Sequence, residues 1–199
     1  MRSGSVVPFS GMQLVLHDLD RLPPHITIEQ VRTLRHWIQS YEHGQLEDTD
    51  LLLVNLMFEL GGRVGDICAL RRGGIDLDKK IVSLYMQKTD KNANVTISNA
   101  LALQLSLFRD RYKGRDPLLG FSRQNAWSRI KKLGLAVGLA GLHPHMFRHG
   151  MAIHLLNCGV PIPVISTRLG HSNVMVTMQM YLKITPEIQR QHLEGVSFE

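Results

Sequence analysis

Residues 51–63 read LLLVNLMFELGGR, and this stretch decides the fold that the sequence predicts. Its first ten residues are apolar on nearly every side, which indicates a helix at the centre of the core. We expect that helix to begin at Asp50 and to end at the glycine pair of residues 61 and 62. Arg63 then follows a buried helix directly, and a cation in that position is the first candidate for a functional role.

Patterns on both sides of this helix predict a mainly α fold with a small antiparallel β-hairpin or sheet, which is an α+β class. Upstream, T-x-x-Q at residues 27–30 is a capping-box pattern that begins a helix. Downstream, residues 81–86 and 94–98 resemble two strands joined by a polar turn. The remaining helices are expected to be one capped by Asn99, one over about 122–137, one from about His145 to Cys158, two short ones, and a last one that begins near Pro186.

Composition sets broad limits on function. A net charge of +6 and a pI near 9.6 favour a polyanionic partner such as nucleic acid without requiring one. No apolar run is long enough to span a bilayer and no signal peptide is evident, so we expect a cytoplasmic protein without membrane contact. Cys68 and Cys158 lie in apolar helical patterns and are expected to be small buried hydrophobes rather than a disulfide pair.

The segment HPHMFRHG, residues 143–150, concentrates three histidines and an arginine. His145 and His149 are four residues apart and would share one face of a helix, as paired zinc ligands do. A zinc site needs a third ligand, however, and Arg148 between the two histidines raises the electrostatic cost of a metal. On this segment alone, histidines that hydrogen-bond the backbone near a helix start are the stronger interpretation.

Other unusual residues favour a phosphate site instead. Lys88 begins the polar turn of the hairpin, His171 follows a glycine at a helix junction, and Tyr181 lies in the last helix but one. Two arginines, a lysine, two histidines and a tyrosine are the residue types that chemistry on a phosphodiester requires.

Four segments are similar, in the same order, to the sequence boxes of the tyrosine recombinases, also called the phage integrase family. GGRVGDICAL followed by IDLD resembles the box of the first arginine, and QKTDKNANVTIS resembles the hairpin that carries a catalytic lysine. HPHMFRHGMAIHLLNCGV is similar to the H-x-x-R-H box, and RLGHSNVMVTMQMY to the G-H…Y box. The resemblance implies an N-terminal extension or linker over residues 1–25 and a tyrosine recombinase catalytic domain over residues 26–199, with a tail helix after Tyr181.

The resemblance also implies a role for each matching residue. The arginines would clamp the scissile phosphate, the lysine would act as general acid, and the tyrosine would be the nucleophile, while the proton roles of the two histidines stay open. Ten steps separate the last histidine from the tyrosine where the family pattern has nine, so one extra residue is expected within 172–176. The implied catalytic residues are Arg63, Lys88, His145, Arg148, His171 and Tyr181, with Asp66 and His149 in support and Lys91 as a rival to the hairpin lysine.

The activity implied by the resemblance is site-specific DNA recombination, in which strands are cut and rejoined through a 3′-phosphotyrosyl link. No metal, ATP or other cofactor is expected, because the arginines supply positive charge and the covalent link conserves the phosphodiester bond. The alternative is a DNA-binding regulator that has the fold without the catalysis.

The implied partner is double-stranded DNA. The residues expected to contact it lie on the helix of residues 122–137 and are Arg123, Arg129, Lys131 and Lys132. A homotetramer assembled on DNA through the tail after Tyr181 is expected, with an accessory DNA-bending protein as a further candidate partner. Such a protein would be associated with a bacterial nucleoid or encoded by a phage or mobile element, and both a short natural recombinase and an excised catalytic domain fit the length.

Overall fold

The computed structural model describes residues 23–40 and 48–171 and, singly, residues 174, 175 and 177. Its described part is mainly helical with one small antiparallel sheet, so the predicted fold class is confirmed. A 3-10 turn over Arg72–Gly74 precedes the sheet. The helices are α1 (Ile28–Ser40), α2 (Asp48–Leu60), α3 (Val64–Cys68), α4 (Asn99–Arg111), α5 (Arg123–Ala136), α6 (Pro144–Asn157) and α7 (Ile162–Leu169), and the strands are β1 (Ile75–Asp76), β2 (Ile81–Met86) and β3 (Lys91–Thr96).

Helix α1 begins where the capping-box pattern predicts. The backbone N–H of Thr27 donates to Gln30 Oε1 at 2.9 Å, and the backbone N–H of Gln30 donates to Thr27 Oγ1 at 3.2 Å. This reciprocal pair satisfies two backbone donors that have no partner inside the helix. Val31, Leu34 and Ile38 recur at helical spacing, are buried, and face the core on the α2 side.

Helix α2 is the central element of the core, as its composition predicts. It contacts α1, α4, α5 and α6, and its apolar side chains are almost completely buried. It begins at Asp48, two residues before the predicted start. It ends at Leu60, and the φ of +63° at the following Gly61 suits glycine, where a Cβ would lie only 2.0 Å from the Met151 side chain. This tight turn brings Arg63 out of the core at the start of α3.

The sheet is larger than the sequence predicts. Strand order is β1-β2-β3, all antiparallel, and β1 was not expected. The second hairpin strand spans Lys91–Thr96 rather than residues 94–98, because Met86 pairs with Lys91 across a turn in which Asp90 adopts a φ of +51°. Polar residues at the start of β3 hide the strand pattern, since only its later residues alternate between apolar and polar.

Several helix boundaries differ slightly from expectation. Ser98, rather than Asn99, caps α4, because its hydroxyl accepts the backbone N–H of Leu101 at 3.1 Å.

Cys68 is buried as expected and its burial raises its pKa to about 11, whereas Cys158 is exposed where α6 ends. The helix with Tyr181 and the helix near Pro186 fall outside the described residues. Within the described segments, no helix has both the length and the apolarity needed to cross a membrane.

Candidate active site

A cleft of about 350 Å³ collects most of the residues that the sequence singles out. Four places in the chain meet there: the turn after α2, the tip of the β2–β3 hairpin, the start of α5 and the start of α6. We call this the phosphate cleft. Its side chains with a predicted role are Arg63, Asp66, Lys88, Arg123, His145 and Arg148.

Arg148 forms the buried floor of the phosphate cleft, with only 5% of its surface exposed. Its Nη1 donates to the carbonyl oxygen of Gly61 and its Nη2 to that of Leu169, both at 2.7 Å. These carbonyls lie at the C-terminal ends of α2 and α7, where the helix dipoles favour a cation. Burial lowers the pKa of Arg148 to about 10, and Arg63 acts in the same direction. The side chain therefore stays charged at neutral pH in one fixed orientation.

Arg63 supplies a second positive charge, and no described residue accepts a hydrogen bond from its Nη1. This arginine precedes α3 and is partly exposed, while its Nη1 is buried. A buried guanidinium donor without a partner costs free energy unless a ligand accepts its hydrogen bond. Because Arg63 lies close enough to Arg148 to lower its pKa, the pair forms a cationic site suited to an anion with several oxygens.

Asp66 ties α3 to the hairpin beneath Lys88. Its carboxylate is 97% removed from solvent, and Oδ1 accepts the backbone N–H of Gln87 at 3.2 Å. Lys88 is exposed in the turn and lines the phosphate cleft. Lys91 lies on β3, opposite Met86 of β2, and does not line the cleft. The contact through Gln87 was not expected from the sequence, because a backbone N–H leaves no signal in the residue pattern.

The histidines lie close to the arginines, and their ionisation reflects it. Withdrawal from solvent lowers the pKa of His145, and Arg148, His143 and Arg63 lower it further. The same causes lower the pKa of His171 to about 4, with burial first and then Arg148 and Arg63. Both rings are therefore neutral at pH 7. The Nδ1 of His171 lies 2.9 Å from Thr177 Oγ1, and its Nε2 has no hydrogen-bond partner among the described residues.

His149 faces away from this chemistry. Its Nδ1 lies 3.3 Å from the carbonyl oxygen of Pro24, so it connects α6 to the segment before α1. Its ring centroid is 6.4 Å from that of His145. Burial is the main cause that lowers its pKa. In the part of the chain that the structure describes, no three His, Cys, Asp or Glu side chains are grouped as metal ligands would be.

The cationic residues of α5 differ in their surroundings. Arg123 lines the phosphate cleft, and Lys131 and Lys132 are exposed farther along the helix. Arg129 instead donates from Nη1 to the buried Asp50 at 2.9 Å and from Nε to Asn125 Oδ1 at 2.8 Å. It also stacks over the ring of Phe121, 4.8 Å from the centroid. The guanidinium of Arg129 is thus largely engaged within the protein, while the other three cations face solvent.

A change of pH should expose the state of His171 directly. Because its folded pKa lies below the reference value of about 6.5, the unfolded chain binds more protons between those values, and stability falls as pH drops from about 6.5 to about 4. Glutamine does not titrate, so His171→Gln loses this pH dependence. Between pH 6.5 and pH 4 the unfolding free energy of the variant should therefore fall by about 1–2 kcal/mol less than that of wild type, allowing for solvent screening. Denaturant titrations at several pH values measure this, and parallel curves for the two proteins would contradict the prediction.

The chain is similar to known proteins in both sequence and fold. A family model described as the phage integrase family matches residues 24–187. The tyrosine recombinase XerA of Thermococcus kodakarensis is 33% identical over 186 residues, which covers 87% of this chain and 62% of that protein. The chain therefore spans about three fifths of the length of this curated relative.

Solved structures share the fold at low sequence identity. The crystal structure of XerA recombinase matches with a TM-score of 0.72 at 20% identity, over 89% of this chain and 65% of that one. The XerH site-specific recombinase bound to difH substrate, a pre-cleavage complex, matches with a TM-score of 0.69 at 17% identity, over 88% and 55% of the two chains. These likenesses concern the arrangement of helices and sheet.

Proposed function

Because this chain belongs to the phage integrase family, we propose that it is the catalytic part of a site-specific DNA recombinase that cuts and rejoins strands through a 3′-phosphotyrosyl intermediate. The observation that carries the proposal is the pair of guanidiniums in the phosphate cleft, Arg148 fixed by two carbonyls and Arg63 with an unpartnered buried donor. The sequence relative is named a tyrosine recombinase, and one structural relative was solved with its DNA substrate.

In this mechanism the arginines bind the non-bridging oxygens of the scissile phosphate. Negative charge on those oxygens grows as the phosphorus becomes five-coordinate, so donors held in place beforehand stabilise the transition state more than the ground state. Arg148 is such a donor, because two of its nitrogens are already anchored to backbone carbonyls. Arg63 completes the site when a phosphate oxygen accepts a hydrogen bond from its Nη1, which no described residue engages.

Tyr181, which lies outside the described residues, is the nucleophile that we propose. A tyrosine hydroxyl has a reference pKa of about 10 and needs a base to attack at neutral pH. The neutral His145 in the phosphate cleft would accept its proton, and His171 would hydrogen-bond a phosphate oxygen through the nitrogen that does not contact Thr177. The bond from the tyrosine oxygen to phosphorus forms as the bond from phosphorus to the 5′ oxygen breaks.

Lys88 would protonate the leaving 5′ oxygen as it departs. Its position at the hairpin tip depends on Asp66, which holds the backbone of Gln87. Rejoining reverses the steps, since a 5′ hydroxyl attacks the phosphotyrosyl phosphorus and Tyr181 leaves with a proton from His145. The phosphotyrosyl link keeps the phosphodiester energy and the arginines supply positive charge, so neither ATP nor a metal ion enters the proposal.

The wider functional proposals concern partners. Double-stranded DNA would contact Arg123, Lys131 and Lys132 on α5, with phosphate contacts that make affinity fall as salt rises. Arg129 would shape that surface through Asp50 rather than reach far into solvent. We also propose that residues 26–199 form the catalytic unit and that four copies assemble on DNA through the tail after Tyr181. An accessory DNA-bending protein as a further partner and a cytoplasmic location complete the proposal.

The test of this proposal is covalent trapping on nicked duplexes taken from DNA that flanks the gene. Cleavage beside the nick releases a short fragment and leaves the protein joined to the 3′ phosphate. We expect a protein–DNA adduct that resists denaturant and disappears on protease treatment. Clear duplex binding without any adduct would contradict the proposal and favour the regulator that lacks catalysis.

Lys88→Ala should slow adduct formation by roughly 10²- to 10⁴-fold, the usual contribution of a general acid. Lys91→Ala is the matched control, because Lys91 has the same charge three residues away but does not line the phosphate cleft. A substrate with sulfur in place of the leaving 5′ oxygen needs no proton donor, so it should restore the rate of Lys88→Ala. Equal losses for the two lysine variants, or no restoration by sulfur, would remove Lys88 from this role.

A further inference from the structure

A second groove begins at the wall of the phosphate cleft and runs along the outer face of the sheet. Asp66 lines both cavities, so the two are adjacent. The second has a volume of about 620 Å³, and we call it the hairpin groove. The side chains that give it chemical character are Asp66, Arg71, Ser83, Tyr85, Asn92 and Asn94.

Strand register makes one face of the hairpin groove polar. Ser83 pairs with Asn94 and Tyr85 with Asn92, and successive side chains of a strand point to opposite faces of the sheet. The intervening residues of β2, Val82, Leu84 and Met86, are buried in the core. The outer face therefore presents hydroxyl and amide groups around one aromatic ring.

Internal hydrogen bonds orient these groups towards the open side. Ser83 Oγ donates to Asn94 Oδ1 at 2.7 Å, which leaves the Asn94 amide N–H groups without an acceptor among the described residues. Tyr85 Oη donates to Asp90 Oδ1, and this contact holds a ring that is 51% exposed. Tyr85 is thus about half exposed in the groove, and the amide of the neighbouring Asn94 keeps donors that no described residue accepts.

Charge in the hairpin groove is sparse. Arg71 is the cation on its other wall, with 73% of its side chain exposed and its nearest carboxylate oxygen, on Asp116, 3.7 Å away. Asp66 also lines the groove, and its Oδ2, which has no partner within the described ranges, is buried. Sites for unpaired DNA combine an aromatic side chain on which a base stacks with positive charge for the backbone, and the hairpin groove offers the ring of Tyr85, uncharged amide donors and the cation of Arg71.

We propose that the hairpin groove binds unpaired DNA, namely the cleaved strand next to its released 5′ end, while that strand waits to be exchanged. This inference rests on the proposed function, because cleavage in the adjoining phosphate cleft is what frees the strand. One base would stack on Tyr85, and its neighbours would take hydrogen bonds from Asn94 and Asn92. Arg71 would face a phosphate of the same strand.

The experiment measures, by fluorescence anisotropy, the binding of the full chain to a fluorescein-labelled oligothymidylate of about eight nucleotides. Binding to a fluorescein-labelled duplex is measured in parallel at the same salt. Tyr85→Ala should weaken single-strand binding about tenfold, as loss of one stacking platform does, while duplex binding stays within twofold. Tyr85→Phe keeps the ring and should bind as wild type does. Asn94→Ala should weaken single-strand binding by roughly two- to tenfold.

Leu103→Ala is the control, because Leu103 is an exposed apolar residue on α4, outside the hairpin groove and the phosphate cleft. It should leave single-strand binding unchanged, and thermal unfolding should show all four variants folded. Wild-type single-strand affinity in Tyr85→Ala would overturn the inference, as would equal losses for single strand and duplex. Adduct formation on nicked duplexes is measured separately. If wild type forms no adduct, the proposed function is contradicted, whereas unchanged oligothymidylate binding in Tyr85→Ala contradicts single-strand binding by the hairpin groove.

Discussion

Tyr181→Phe is expected to abolish the covalent adduct, with a loss of at least about 10³-fold, while duplex affinity stays within about twofold of wild type. Phenylalanine keeps the ring and removes only the hydroxyl that would attack phosphorus. Adduct yield on nicked duplexes and duplex binding by gel shift are the two measurements. The size of the effect follows from the chemistry, because no neighbouring group replaces a nucleophile that forms the intermediate itself.

Tyr112→Phe is the control for this substitution. Tyr112 packs against Phe108 with ring centroids 4.5 Å apart and lies beneath Arg115, away from the phosphate cleft. It should form adduct as wild type does. Adduct that persists in Tyr181→Phe would show that another residue attacks, and the extra residue between His171 and Tyr181 would then be the first feature to reconsider.

Arg148→Lys and Arg63→Lys should each slow adduct formation by about 10²- to 10³-fold, because an ammonium cannot contact two phosphate oxygens as a guanidinium does. They should differ in stability. Arg148 holds the carbonyls of Gly61 and Leu169, so its loss should lower the unfolding free energy by about 2–4 kcal/mol. Arg63 leaves its buried Nη1 unpartnered, so Arg63→Lys should unfold within about 1 kcal/mol of wild type.

Arg168→Lys separates the two effects. Arg168 donates from Nε and Nη2 to the carbonyl oxygen of Glu59, with 2.6 Å to the second nitrogen, and it does not line the phosphate cleft. Its replacement should reduce stability while adduct formation by the folded fraction stays at the wild-type rate. Denaturant titration and single-turnover adduct kinetics give the two readouts. A wild-type rate in Arg63→Lys would argue against the phosphate clamp.

Local patterns in the sequence determined most of the secondary structure. The capping box at Thr27, the apolar run before Gly61 and the helix over about 122–137 are placed as predicted, because each depends on residues within one or two helical turns. The four boxes, which come in the order of the family, also indicated which residues to consider for phosphate chemistry. The polar start of β3 was missed, since its pairing with β2 depends on the turn rather than on alternation.

Only the tertiary structure decided what each candidate side chain contacts. Arg148 donates to the carbonyl oxygen of Gly61, 87 residues away in sequence, and this contact fixes its guanidinium in the cleft. Arg129 donates to Asp50, 79 residues away, and this contact holds its guanidinium against the protein. Ser83 and Asn94 face a groove beside the cleft because of strand register. Helix caps and periodicity are written in neighbouring residues, whereas these contacts depend on how α2, α6 and the sheet pack together, and packing brings distant residues into contact without leaving a local pattern.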